Sequence, residues 1–331
     1  MRSTPLRLSL AAVTVVTLAG CGTSVSDPDD RSAGGPTVTV TNCGRELHFD
    51  TPPEAVVGLS PSQTELLLRL GLADRMVGQA QTSTAPLPDD LRQSAADVPV
   101  LSEDAPPDRE TLLDAEPDFV FAPTAYEFTA EQGFADLAQL DEAGVAAYIA
   151  TGGCAERRMT GTVDDLFTDL RNLGDIFGEP ERAAELVDAG EAALTDVADR
   201  IEGLDAPTVA QVYVEGETLS AIGAGIEYDV IARAGGDNVF GPEDPAFADF
   251  FAAQLNPEAL AEADPEVLVF SVHDADHEAA TVEYLRATFP DLAAVRDDRL
   301  VGVSASDMFP GTLGNIDAVT RIAEALYPQA F

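Results

Sequence analysis

The chain carries three histidines, and two of them, His273 and His277, stand four residues apart with Asp274 beside the first. On a helical turn that spacing aims two imidazoles at one metal ion, and the carboxylate adds an oxygen ligand. The same residues also read as a polar loop at a strand end, because neighbours such as His273 and Asp274 point apart. Arg157 and Arg158 form the one adjacent arginine pair. Two guanidinium groups side by side hold anionic oxygens through planar hydrogen bonding, or they offset an acidic surface. No Gly-x-Ser-x-Gly elbow, His-Glu-x-x-His helix or Walker loop is present. Gly223-Ala224-Gly225 falls short of a dinucleotide fingerprint, and His48 stands alone near the N-terminus. These residue types serve recognition better than turnover. A free-metal binder and an extracellular hydrolase are the competing classes.

Positioning those residues requires strand ends and loops. Strands are expected at 37–40 with a hairpin partner at 45–49, then at 56–59, 76–78, 119–122 and 145–149. Helices are expected between them at 65–72, 110–115 and 135–143. Two helical patterns follow without a strand, at 163–177 and 181–201. The second is about 30 Å long at 1.5 Å per residue, opened by Pro180 where a helix start tolerates it. The alternation then restarts, with strands at 209–214, 219–223, 267–272 and 300–303. Helices are expected there at 228–234, 257–263, 282–288 and 314–326. Strands and helices alternating at this size indicate parallel α/β sheets. Residues 109–121 are echoed by 257–269: a short helix opening on Glu, then acid-Pro-acid, then an apolar strand. The chain therefore divides into an N-terminal lobe at 37–178, a linking helix at 179–205 and a similar C-terminal lobe at 206–331.

In open α/β sheets ligands lie outside the carboxyl ends of the strands. That rule selects Ser60, Ser62, Gln63, Gln81, Tyr126, Arg157, Arg158, Glu215, His273 and Phe309 as candidate contacts. Pocket walls are apolar and aromatic with few placed polar groups, which adds Phe247 and Phe251 to Tyr126 and Phe309.

The N-terminus carries a compartment signal. Arg2 and Arg7 precede an apolar run at 8–18 that ends in Leu18-Ala19-Gly20-Cys21. A basic start, a short apolar core and small residues make a secretory signal peptide at 1–20. The run is shorter than the roughly 20 residues a membrane-spanning helix needs. Residues 21–36 are rich in Ser, Gly, Asp and Pro and read as a flexible tether. Outside the cell, the pair Cys43 and Cys154 suggests a disulfide, with two separate buried thiols as the other reading. Hydrophobic residues make up 45% of the 331-residue chain and the net charge is −41, with no Lys, so that Arg supplies the fixed positive charge. Such a charge excludes nucleic acid and electrostatic adhesion to anionic lipid.

Leu18-Ala19-Gly20-Cys21 resembles the lipobox of bacterial lipoproteins. That resemblance implies lipidation of Cys21 and attachment to the membrane through the lipid. Val56-Val57-Gly58-Leu59-Ser60-Pro61-Ser62-Gln63-Thr64-Glu65-Leu66-Leu67, with 70–78 after it, resembles the opening of periplasmic binding proteins for ferric siderophores, haem and cobalamin. So do 115–120, Ala234-Gly235-Gly236-Asp237-Asn238-Val239-Phe240, and Ala263-Asp264-Pro265-Glu266-Val267-Leu268, where the family usually has Asp at Glu266. The resemblance runs through nearly the whole chain from Val38 to Tyr327. It implies an α/β fold of two Rossmann-like lobes joined by one long backbone helix, with a preformed ligand cleft between the lobes. It further implies a monomer that delivers a small molecule to the permease of an ABC importer, with Glu110 and Glu258 meeting permease arginines. The resembling motifs do not specify the ligand; an iron chelate is expected, whose negative charge Arg157 and Arg158 could face, with a corrinoid or haem as alternatives and no intrinsic cofactor.

Overall fold

The computed structural model describes residues 37–331. The expected leader at 1–20, the tether at 21–36 and Cys21 lie outside those residues. Val38–Asn42 (β1) and Arg45–Phe49 (β2) pair antiparallel across the two-residue turn Cys43-Gly44. Both turn residues have positive φ, 49° and 70°, as the type I′ hairpin turn requires. A parallel sheet follows, built from Val56–Gly58 (β3), Met76–Ala80 (β4), Val100–Ser102 (β5), Phe119–Ala122 (β6) and Ala146–Ile149 (β7). Its helices are Pro61–Arg69 (α1), Arg92–Ala95 (α2), Arg109–Asp114 (α3) and Leu137–Glu142 (α4). The strand order is β5-β4-β3-β6-β7. The chain enters at the central strand, builds to one edge, then returns to build the other. That reversal makes a crevice at the carboxyl ends of β3 and β6.

The hairpin closes the β7 edge. The Asn42 side chain donates to the Ile149 carbonyl at 2.7 Å and accepts from the Ile149 N–H at 2.9 Å. Edge groups that would otherwise invite pairing with another chain are satisfied in this way. Cys43 and Cys154 form a disulfide across 111 residues of sequence. In the chain-entropy account, a loop of that length is worth about 4–5 kcal/mol.

Asp164–Phe177 (α5) and Pro180–Ile201 (α6) come next. The second sheet comprises Thr208–Glu215 (β8), Thr218–Ile222 (β9), Asp237–Asn238 (β10), Ala252–Gln254 (β11), Val267–Val272 (β12) and Leu300–Ser304 (β13). Its helices are Gly225–Arg233 (α7), Pro257–Ala263 (α8), Ala275–Thr288 (α9), Ala293–Arg296 (α10) and Gly314–Leu326 (α11). The order is β11-β9-β8-β12-β13, with β10 beside the start of β8. Strands β8, β10, β12 and β13 run parallel, and β9 pairs antiparallel with both of its neighbours, β8 and β11. The reversal point here falls between β8 and β12.

The echo between the two halves has a structural meaning. Glu116 and Asp264, the acids before each proline, both adopt positive φ, 50° and 39°. The acid after each proline anchors the residues that lead into or open the first strand of its sheet, β3 or β8. Asp118 accepts from the N–H groups of Glu54 and Ala55, and Glu266 accepts from Thr208 N–H at 2.8 Å. The longer Glu266 therefore does in one lobe what Asp118 does in the other.

Helix α6 packs against α5 of the first lobe and α11 of the second. Its buried residues, Ala183, Val187, Gly190 and Val197, recur on one face at helical spacing. A Cβ on Gly190 would come within 2.7 Å of both Phe167 and Ile316. The bare glycine is what lets three helices meet there. Helix α9 begins seven residues before the expected 282, because Asp274 accepts from His277 N–H at 2.7 Å and caps it. Side-chain capping by Asp starts helices in segments whose apolar pattern is weak. No described helix is long and apolar enough to cross a membrane.

Candidate functional site

A cleft of about 490 Å³ lies between the two sheets, with walls from both lobes. The first lobe contributes Ser60, Pro61 and Ser62 after β3, Gln81 and 83–86 after β4, and Pro123 and Glu127 after β6. The second contributes His273 and Asp274 after β12, and Ala305, Ser306 and Phe309 after β13. Each set follows the carboxyl ends of strands, including those flanking the two reversal points, where this topology opens a crevice.

Local structure keeps several polar groups available. Ser60 is the N-cap of α1, yet its hydroxyl makes no capping bond, so it is left for the cleft. Gln81 sits at φ 57°, a left-handed conformation that is strained for a non-glycine residue. Its amide is held on the Leu59 carbonyl at 2.7 Å, and its own carbonyl accepts from the Thr84 hydroxyl at 2.8 Å. Glu127 closes a capping box with Thr124, and burial pushes its carboxyl above the usual range. Glu127 was not among the expected contacts, although Thr124-x-x-Glu127 is a readable capping-box signature. Ser83, Thr84 and Ser306 were missed too. Nothing in their sequence context distinguishes them from ordinary loop residues.

Of the expected contacts, Ser60, Ser62, Gln81, His273 and Phe309 line the cleft. Gln63 is fully buried and its amide nitrogen donates to the Gly311 carbonyl at 3.0 Å. It ties α1 to the other lobe instead of facing a ligand. Phe247 has no exposed surface. Its ring packs where a Cβ on Gly223 would lie, so it is core and not wall. Tyr126 stays exposed with its ring edge on Phe134, and it does not line the cleft. Glu215 is not a wall residue either, but accepts from the Tyr213 hydroxyl at 2.6 Å.

The arginine pair is engaged elsewhere. Arg157 makes a two-pronged contact with Asp165, at 2.7 and 2.8 Å. Arg158 lies 3.9 Å over the Phe251 ring and 4.0 Å from buried Glu227. Burial raises the Glu227 carboxyl despite that arginine. Gly225 N–H donates to the Met159 carbonyl at 3.2 Å, and Arg233 pairs with Asp164 at 2.8 Å. The 157–164 segment thus joins the lobes. Among the described residues, no Arg lines the cleft.

The histidines also separate. His277 accepts from His273 N–H at its Nδ1, and its Nε2 meets the Val214 carbonyl at 2.8 Å. Both nitrogens are engaged, so the expected option of two imidazoles on one metal does not hold. His273 Nε2 lies 3.0 Å from the Tyr213 hydroxyl. Burial and Glu215 push the Tyr213 phenol up to about 12, which keeps it protonated. Among the described residues one grouping has metal-ligand proximity, Cys43, Cys154 and Glu156. Its two sulfurs are joined in the disulfide.

Residues 56–305 match the family described as "Periplasmic binding protein". The chain is 24% identical to an uncharacterized ABC transporter substrate-binding lipoprotein of Bacillus subtilis, over 98% of this chain and 96% of that protein. It is likewise 24% identical to the cobalamin-binding protein of Halobacterium salinarum, over 97% of this chain and 84% of that one. A crystal structure of a periplasmic binding protein from Veillonella parvula superimposes with a TM-score of 0.77 at 23% identity. That superposition covers 88% of this chain and 98% of the other. An interlobe cleft at the carboxyl ends of two sheets, and a family match through both lobes, lead to one conclusion: this chain belongs to the periplasmic binding protein family.

Proposed function

We propose that the chain is the substrate-binding component of an ABC importer, held outside the membrane by a lipid on Cys21, and that its cargo is a corrinoid. The observation that carries this reading is the charge of the cleft wall. Among the described residues its polar groups are the hydroxyls of Ser60, Ser62, Ser83, Thr84 and Ser306, the Gln81 amide, Glu127, Asp274 and His273, without an arginine. An anionic catecholate or carboxylate chelate calls for guanidinium partners, and Arg157 and Arg158 face Asp165 and Glu227 instead. A corrinoid is a large metal chelate whose rim carries uncharged amides, which hydroxyls and an amide side chain bind well. The cobalamin-binding relative from Halobacterium salinarum supports the same choice. Exposed Glu110 and Glu258, near the starts of α3 and α8, serve as the contacts to the permease.

A thermal-shift panel on residues 22–331 tests the cargo. Cyanocobalamin is expected to raise the unfolding temperature saturably, since a ligand bound to the folded state alone stabilises it by mass action. A shift with an uncharged ferric trihydroxamate and none with cyanocobalamin would return the reading to an iron chelate. A shift with a ferric catecholate alone would remove the charge argument altogether. Incorporation of labelled palmitate, abolished by Cys21→Ser, tests the anchor.

A further inference from the structure

We propose that His273 is a direct ligand to the metal of the bound chelate, through Nδ1, and that Tyr213 and Glu215 are the residues that position it. The inference rests on the corrinoid reading and deepens it. The Tyr213 hydroxyl donates its one proton to Glu215 at 2.6 Å. Its contact with His273 Nε2 at 3.0 Å must then be one in which the imidazole donates and the phenol oxygen accepts. This assigns the tautomer: the neutral ring carries its proton on Nε2 and a lone pair on Nδ1. No hydrogen bond among the described residues engages His273 Nδ1, whereas both nitrogens of neighbouring His277 are engaged. His273 is exposed and lines the cleft, at the reversal point between β8 and β12.

The second chain of contacts is the one that metal-binding imidazoles use. A ligating His almost always gives its other N–H to a carboxylate, a carbonyl or a water, which orients the ring and raises its basicity. Here a phenol stands between the imidazole and the carboxylate. His277 packs parallel to His273 with ring centroids 5.0 Å apart, and Tyr213 meets His273 edge-on at 5.9 Å. The ring is thus held from one face and from Nε2. The step itself is a ligand exchange. The Nδ1 lone pair forms a bond to the metal, the metal–water bond breaks, and water leaves with no change of oxidation state.

The test compares two corrinoids on residues 22–331. Aquocobalamin has an exchangeable water on cobalt, whereas cyanocobalamin holds that position with cyanide. Binding of aquocobalamin is expected to move its absorption bands to those of an imidazole-ligated cobalt(III) corrin. His273→Ala should abolish that change, while an unfolding temperature without ligand equal to the parent's shows that the variant folds. Tyr213→Phe should weaken aquocobalamin binding about 10-fold and leave cyanocobalamin unaffected. Aquocobalamin bound with its free-solution spectrum, or a shift that survives His273→Ala, would overturn the ligand role while the corrinoid reading stood. Failure of both corrinoids to bind would overturn the reading and the inference together.

Discussion

Asp169 shows how a single buried acid can make the stability of the fold depend on pH. It is fully buried and accepts from the Tyr148 hydroxyl at 2.8 Å, the Thr151 hydroxyl at 2.6 Å and the Thr151 N–H. Burial outweighs these bonds and pushes its carboxyl up to about 7. An unfolded Asp titrates near 3.9, so the folded chain binds this proton more tightly. Its contribution is complete below about pH 4 and is lost as pH rises through about 7. Asp169→Asn should therefore flatten the fall in stability between about pH 5 and about pH 8. Urea midpoints of parent and variant at the two pH values check this, and parallel falls in both chains would refute it. The raised state of Asp169 comes from the packing of α5 against β7, and its sequence context of ordinary helix residues carries no sign of it.

At the scale of elements, the contacts of α6 are decided by one missing side chain. A glycine inside an exposed helix costs about 1 kcal/mol relative to alanine, so replacing one is ordinarily stabilising. Gly190 should behave oppositely, because Phe167 and Ile316 already occupy the space a Cβ would need. Gly190→Val is expected to destabilise the chain by about 1–3 kcal/mol, the usual cost of overpacking. Equilibrium denaturation measures this, and a variant as stable as the parent would mean that α5 and α11 can give way. The helix itself was readable from its apolar spacing and from Pro180. The identity of its partners was not, because spacing marks a buried face without saying what covers it.

For the whole molecule, the decisive relation is between the cleft and the outer surface. Glu110 and Glu258 are exposed and do not line the cleft. Joint replacement of both by Arg should leave the corrinoid thermal shift unchanged and abolish stimulation of the permease's ATPase in proteoliposomes. Stimulation that persists would show that these glutamates merely favour the N-termini of their helices. Charge reversal is the suitable change, since loss of complementarity at an interface acts more strongly than truncation of a rim contact.

The sequence alone determined the two α/β lobes, the helix between them and the strand ends at which a ligand can sit. Those features follow from periodicity and from Pro and Gly punctuation, which are local. It also put Ser60, Ser62, Gln81, His273 and Phe309, which line the cleft, among the stretches that follow strand ends. Only the tertiary structure decided what the side chains do. Arg157, Arg158 and Gln63 look like ligand contacts until α5 supplies Asp165 to the first and the opposite lobe supplies Glu227, Phe251 and Gly311 to the others. His273 and His277 look equivalent until β8 supplies Tyr213 to one and the Val214 carbonyl to the other. Except for Asp165, eight residues from Arg157, these partners are remote in sequence, and which polar groups remain free for a ligand depends on which are already satisfied by such partners.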